Sequence, residues 1–125
     1  MNSRKSTVMS LILGLLLLPP ARATPTAIAQ TEINYLLGSI ESSGCAFYRN
    51  GSWYDSKMAE EHLRSKYELL AATARIKTAE DFIELAATKS SLSGRAYEIR
   101  CGGGLALTTN QWLHEVLVRY RAGDT

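Results

Sequence analysis

The chain lacks the patterns that catalysis and cofactor binding usually leave in a sequence. It has two histidines, His62 and His114, and no histidine or acidic residue lies four positions from either: Met58 and Lys66 flank the first, Asn110 and Val118 the second. That excludes a helical His-x-x-x-His or His-x-x-x-Glu metal pair, and no metal is expected. A Gly-x-Ser-x-Gly elbow and a Ser-x-x-Lys pair are both missing. Gly102 and Gly104 begin a G-x-G-x-x-G pattern, but Leu107 occupies the place of its last glycine, and no G-x-x-x-x-G-K-[ST] loop occurs. Phosphate cradles of these two kinds are excluded, and no cofactor is expected.

Long apolar runs are also missing. The longest, Val8 to Leu18, is interrupted by Ser10 and Gly14 and stopped by Pro19-Pro20. A membrane-spanning helix needs roughly 20 apolar residues. With Arg4 and Lys5 before it and Ala21-Arg22-Ala23 after it, the run reads as a secretion signal cleaved after Ala23. Residues 1–23 are thus expected to be removed and 24–125 to form the working domain, with no transmembrane segment.

Charge follows from that cut. The full chain carries 14 basic and 12 acidic residues, a net +2. Losing Arg4, Lys5 and Arg22 leaves a net charge of −1. Nucleic-acid binding is not expected of so neutral a domain, and no polybasic run is present for anionic lipid.

The remaining stretch reads as one α+β domain. Ile33, Leu36, Leu37 and Ile40 make the i, i+3, i+4, i+7 stripe of a helix over Thr31 to Ser42, and Gly44 suits its exit. Cys45–Arg49 and Ser52–Tyr54 are β-prone, and Asn50-Gly51 between them favours a type I′ hairpin turn. Asp55 or Ser56 caps a helix from Lys57 to about Ala74, with Ala59, Leu63, Tyr67, Leu70 and Ala74 along one side. Glu60–Arg64 and Arg64–Glu68 are i, i+4 pairs on a face expected to be solvated. Thr78 and Asp81 form a capping box for a short helix through Ala87. Ala96–Cys101 alternates as a strand. Thr108–Gln111 caps the last helix, whose stripe is Trp112, Leu113, Val116, Leu117 and Tyr120, and Arg119 and Arg121 suit the negative end of its dipole. The expected fold is a small three-stranded, mostly antiparallel sheet packed by about four helices, in the order α-ββ-α-α-β-α.

Both cysteines, Cys45 and Cys101, fall in this domain. An even count in an oxidising compartment favours a disulfide, and closing so long a loop is worth about 4 kcal/mol. Two free buried thiols are the alternative. A bridge would tie the start of the first strand to the end of the last.

Several runs in one order resemble a known family: Arg49-Asn50-Gly51, His62 to Tyr67, Thr78 to Ile83, and Lys89 to Tyr97. Over roughly Gly44 to Arg121 the chain is similar to the YfeK-like family of small bacterial proteins, classed as a domain of unknown function. At Ala96 relatives often show proline before the tyrosine. The resemblance implies a signal-bearing periplasmic protein and transfers no activity, cofactor or catalytic residue.

The leading expectation is a non-catalytic binding or envelope-associated module. Its contact surface would join His62, Arg64 and Lys66 of the second helix to Lys89, Ser90, Ser91, Ser93 and Arg95 of the following loop. Its partner would be a periplasmic protein, peptide or glycan. One alternative is a small hydrolase with His62 as base and Ser90, Ser91 or Ser93 as nucleophile. Another is self-association through an exposed aromatic strand face, since alternation turns Phe47 and Tyr48 to opposite sides. Expression of the whole chain in a bacterial host should yield envelope material beginning at Thr24. Mass spectrometry finding a chain that still begins at Met1 would contradict the reading of residues 1–23.

Overall fold

The computed structural model describes residues 25–124, so the leader expected over 1–23 lies outside the described residues. Helix α1 runs Ala27–Ser42 and begins one turn earlier than its apolar stripe suggests. The cause is Thr26, whose hydroxyl accepts the Ala29 N–H at 3.1 Å and caps the helix there. Ile33, Leu36, Leu37 and Ile40 are all fully buried. Gly44, at φ +67°, turns the chain out of the helix into the sheet.

Strands β1 (Ala46–Arg49) and β2 (Ser52–Tyr54) form the expected hairpin. Asn50 and Gly51 both have positive φ, at 51° and 90°, as a turn matching the strand twist requires. Helix α2 is Ser56–Ala72, with the Asp55 carboxylate accepting the Met58 N–H at 2.8 Å. It ends short of Ala74, which adopts φ +59° and leaves the expected stripe. Helix α3 is Ala79–Ala86, opened by the Thr78/Asp81 capping box. Strands β3 (Glu98–Arg100) and β4 (Leu107–Thr108) precede α4, Thr109–Arg121, which Thr108 caps.

The α+β class holds, but the sheet has four strands rather than three, ordered β2-β1-β3-β4 and antiparallel throughout. The strand missed from sequence, β4, has two exposed residues, too few to show alternation. One face of the sheet buries Phe47 and Ile99 against the helices, with Phe47 edge-on to Trp112 of α4. The other face carries Tyr48, Trp53 and Arg100, where the Arg100 guanidinium stacks 4.2 Å above the Trp53 ring. Helix α1 lies at the centre of the helical layer and touches α2, α3 and α4.

The Cys45–Cys101 disulfide is formed, across a sequence separation of 56. The pairing of Ala46 with Arg100 sets the cysteines opposite each other at the end of β1 and β3, Cα atoms 4.5 Å apart.

Two charged residues depart from their expected surface roles. Glu60 is buried, and Arg64 reaches it at 2.6 Å; Arg64 makes no such pair with Glu68 among the described residues. Arg121 grips two helices. Its Nε and Nη2 donate to Glu32 of α1 at 2.7 and 2.9 Å, while Nη1 and Nη2 donate to Glu80 of α3 at 2.6 and 3.0 Å. These bonds hold the Glu80 carboxyl below its usual range. Glu32 is only 8% exposed, so leaving it unpaired costs its desolvation. Arg121→Met should therefore destabilise the domain by about 1–3 kcal/mol, and Glu80→Gln by no more than about 1 kcal/mol, as urea unfolding would measure. Equal losses from the two variants would contradict this division.

Candidate functional site

Three segments meet at the hydroxyl of Tyr97. Tyr97 precedes β3 and is almost completely buried. Its backbone is pinned on both sides: its N–H donates to the Thr88 carbonyl, and its carbonyl accepts the Thr109 N–H at 2.9 Å. From α2, His62 Nε2 lies 3.2 Å from the Tyr97 hydroxyl and Lys66 Nζ lies 3.3 Å from it. One helical turn separates those two residues, so both face the same spot. Lys66 also donates to the Lys89 carbonyl at 2.9 Å, which ties α2 to the loop.

An ammonium only donates, so the Tyr97 oxygen accepts from Lys66, while the direction of its bond with His62 Nε2 is set by the imidazole tautomer. Burial holds the His62 pKa below its ordinary value, helped by the positive charges of Arg49 and Lys66, which favours the neutral ring. Burial and Arg49 lower the Lys66 pKa as well. Burial raises that of Tyr97, with Arg49 opposing.

Beside this network a cleft of about 420 Å3, measured to its open mouth, separates the hairpin from α2. Phe47, Tyr48, Arg49 and Tyr54 form the hairpin side. Met58, Ala59, His62 and Leu63 form the helix side, and Tyr97 and Thr109 complete the lining. The Arg49 guanidinium is held 5.0 Å over the Tyr54 ring. Thr109 is fully buried and its hydroxyl has no hydrogen-bond partner, the sort of orphan that a native interior seldom keeps without reason.

The residues singled out from sequence divide into three groups, with Ser91 and Arg64 apart from all of them. His62 and Lys66 meet at Tyr97. Lys89 and Arg95 lie on the adjoining rim, the first through its carbonyl and the second through a 3.2 Å bond from Nη1 to the Tyr48 hydroxyl. Ser90 and Ser93 build the loop. The buried Ser90 Oγ accepts the N–H groups of Leu92 and Ser93, and the Ser93 hydroxyl donates to the Asn50 side chain. Ser91 is exposed in the turn, and Arg64 is turned to Glu60. His62 Nε2 is engaged by Tyr97, and no serine bonds to His62 among the described residues, so the nucleophile–base pair of a hydrolase is not assembled.

Sequence reasoning missed Arg49 and Thr109. The first resembled any strand-end arginine and the second any residue at a helix start; only the fold brings them to one cleft. Among the described residues no group of three or more His, Cys, Asp or Glu is placed to hold a metal ion.

Comparison with known proteins agrees with the resemblance carried by these segments. A family described as "Family of unknown function (DUF5329)" matches residues 27–121. The Uncharacterized protein YfeK of Salmonella typhimurium strain LT2 is 35% identical over 91 residues, covering 72% of this chain and 74% of that protein. No solved structure matches.

The neutral His62 has a consequence for stability. A histidine whose folded pKa is depressed is charged more readily in the unfolded chain, so protons favour unfolding. Its contribution is intact above the ordinary value of 6.5 and is lost as the pH falls from there toward the folded value. Thermal unfolding between pH 7.5 and 5.5 should show a loss of stability that His62→Gln reduces. Parallel profiles for the two proteins would disprove the assignment.

Proposed function

Because this chain belongs to the YfeK-like DUF5329 family of unknown function, we propose that it is an exported, non-catalytic binding module whose ligand enters the cleft between the hairpin and α2. The observation that carries this reading is the cleft itself. It combines an apolar wall, an orphaned buried hydroxyl at Thr109 and one cation, Arg49, that pairs with no carboxylate among the described residues. Concave, mostly apolar sites with a few convergent polar groups are where small ligands bind. The rim formed by Lys89, Ser90, Ser91, Ser93 and Arg95, stitched to Tyr48, Asn50 and Lys66, extends the contact surface for a peptide or glycan larger than the cleft.

Export is the second part of the proposal. The bridged cysteines support it, since disulfides persist in oxidising compartments. So does the leader read over residues 1–23. No helix among the described residues is long and apolar enough to cross a membrane.

The cleft is tested by amide NMR of the disulfide-intact domain titrated with the low-molecular-mass fraction of a bacterial envelope extract. Shifts should concentrate at Tyr48–Tyr54, Met58–Lys66 and Tyr97. Shifts confined to surfaces outside these segments, or none at saturating extract, would reject the cleft as the binding site.

A further inference from the structure

Resting on the reading of the cleft as a binding site, we infer that its ligand is a compact oxyanion, carboxylate or phosphomonoester, carried on an apolar stem. One cation lines the cleft: Arg49 approaches from the end of β1, braced on the Tyr54 ring. It pairs with no acidic side chain among the described residues. A partly buried charge left without a counter-ion forgoes hydration. Lys66 is outside the lining and adjoins it through its bond to the Tyr97 hydroxyl.

The polar groups at the cleft select the sign and size of the ligand. His62 and Tyr97 satisfy each other, so neither calls for a partner. The Thr109 hydroxyl has none. A hydroxyl and a guanidinium lining one cleft are a donor set that suits an oxyanion, and a guanidinium fork matches carboxylate and phosphate alike. A cationic ligand would meet Arg49, a charge of its own sign. The rest of the lining is apolar: Phe47, Tyr54, Met58, Ala59 and Leu63. Met58 is half exposed at 52%, which leaves a greasy surface for a stem. The 420 Å3 includes solvent at the open mouth, so the stem projects outward.

Three probes of one shape decide the matter: phenylacetate, phenyl phosphate and the uncharged phenylacetamide. Each is titrated into the intact protein at low salt, with the cleft amide resonances as the readout. At least one anion should bind about tenfold more tightly than the amide, and Arg49→Gln should erase that preference while its melting temperature stays that of the parent. Thr109→Val, nearly the same shape, should weaken the preferred anion severalfold. Tighter binding of phenylacetate points to carboxylate sources, and of phenyl phosphate to phosphomonoesters; either supports the inference. Equal binding of amide and anions would overturn the oxyanion while leaving the cleft a binding site. No shift with any probe would overturn it too, and the cleft would then be judged by the extract titration alone.

Discussion

The antiparallel pairing of β1 with β3, locked by the Cys45–Cys101 disulfide, is the constraint on which the remaining architecture depends. Fifty-six positions separate the two cysteines, and almost everything that builds the cleft lies between them: the hairpin, α2, α3, the 89–95 loop and Tyr97. In the chain-entropy picture such a bridge removes about 4 kcal/mol of freedom from the unfolded chain, a large fraction of what holds a domain of this size together. It also fixes register. A slip of β1 by one residue would turn Phe47 away from Ile99 and bring Tyr48 into the core.

Around that frame the protein uses arginine in two opposite ways. Arg121 faces two carboxylates, Glu32 and Glu80, and gathers three helices by satisfying both. Arg49 faces Lys66 and a neutral His62, and what it has close by is the ring of Tyr54. The first is a completed contact that gives rigidity. The second is an incomplete one, and the binding role proposed for the cleft rests on that incompleteness.

Much of the fold was legible in the sequence because it rests on local rules. Period-3.6 stripes located the helices, Asn50-Gly51 located the hairpin, and the Thr78/Asp81 box located the start of α3. The start of α1 was misplaced because the helix was read from its apolar stripe, which begins only at Ile33, while Thr26 caps it. β4 was missed because Leu107 and Thr108 are paired only through β3, a partner no local pattern can announce. The site was legible in fragments. His62, Lys66 and the 89–95 loop were found as neighbours on helix and loop. Their meeting point at Tyr97, and the contributions of Arg49 and Thr109, depend on strand register and on where α4 starts. The loop serines illustrate the converse: as residue types they suggested chemistry, and their hydrogen bonds show masonry.

The bridge makes the cleft-bearing part of the molecule a covalent ring. Its most protruding hydrophobic residue is Leu92, 90% exposed in the turn of the 89–95 loop, where a peptidase would find accessible chain. A single nick there would open the ring without dividing the molecule, for both fragments would stay joined through sulfur. The hairpin and α2 would keep their attachment to β3, so damage at the tip would be invisible on a non-reducing gel and separable only after reduction.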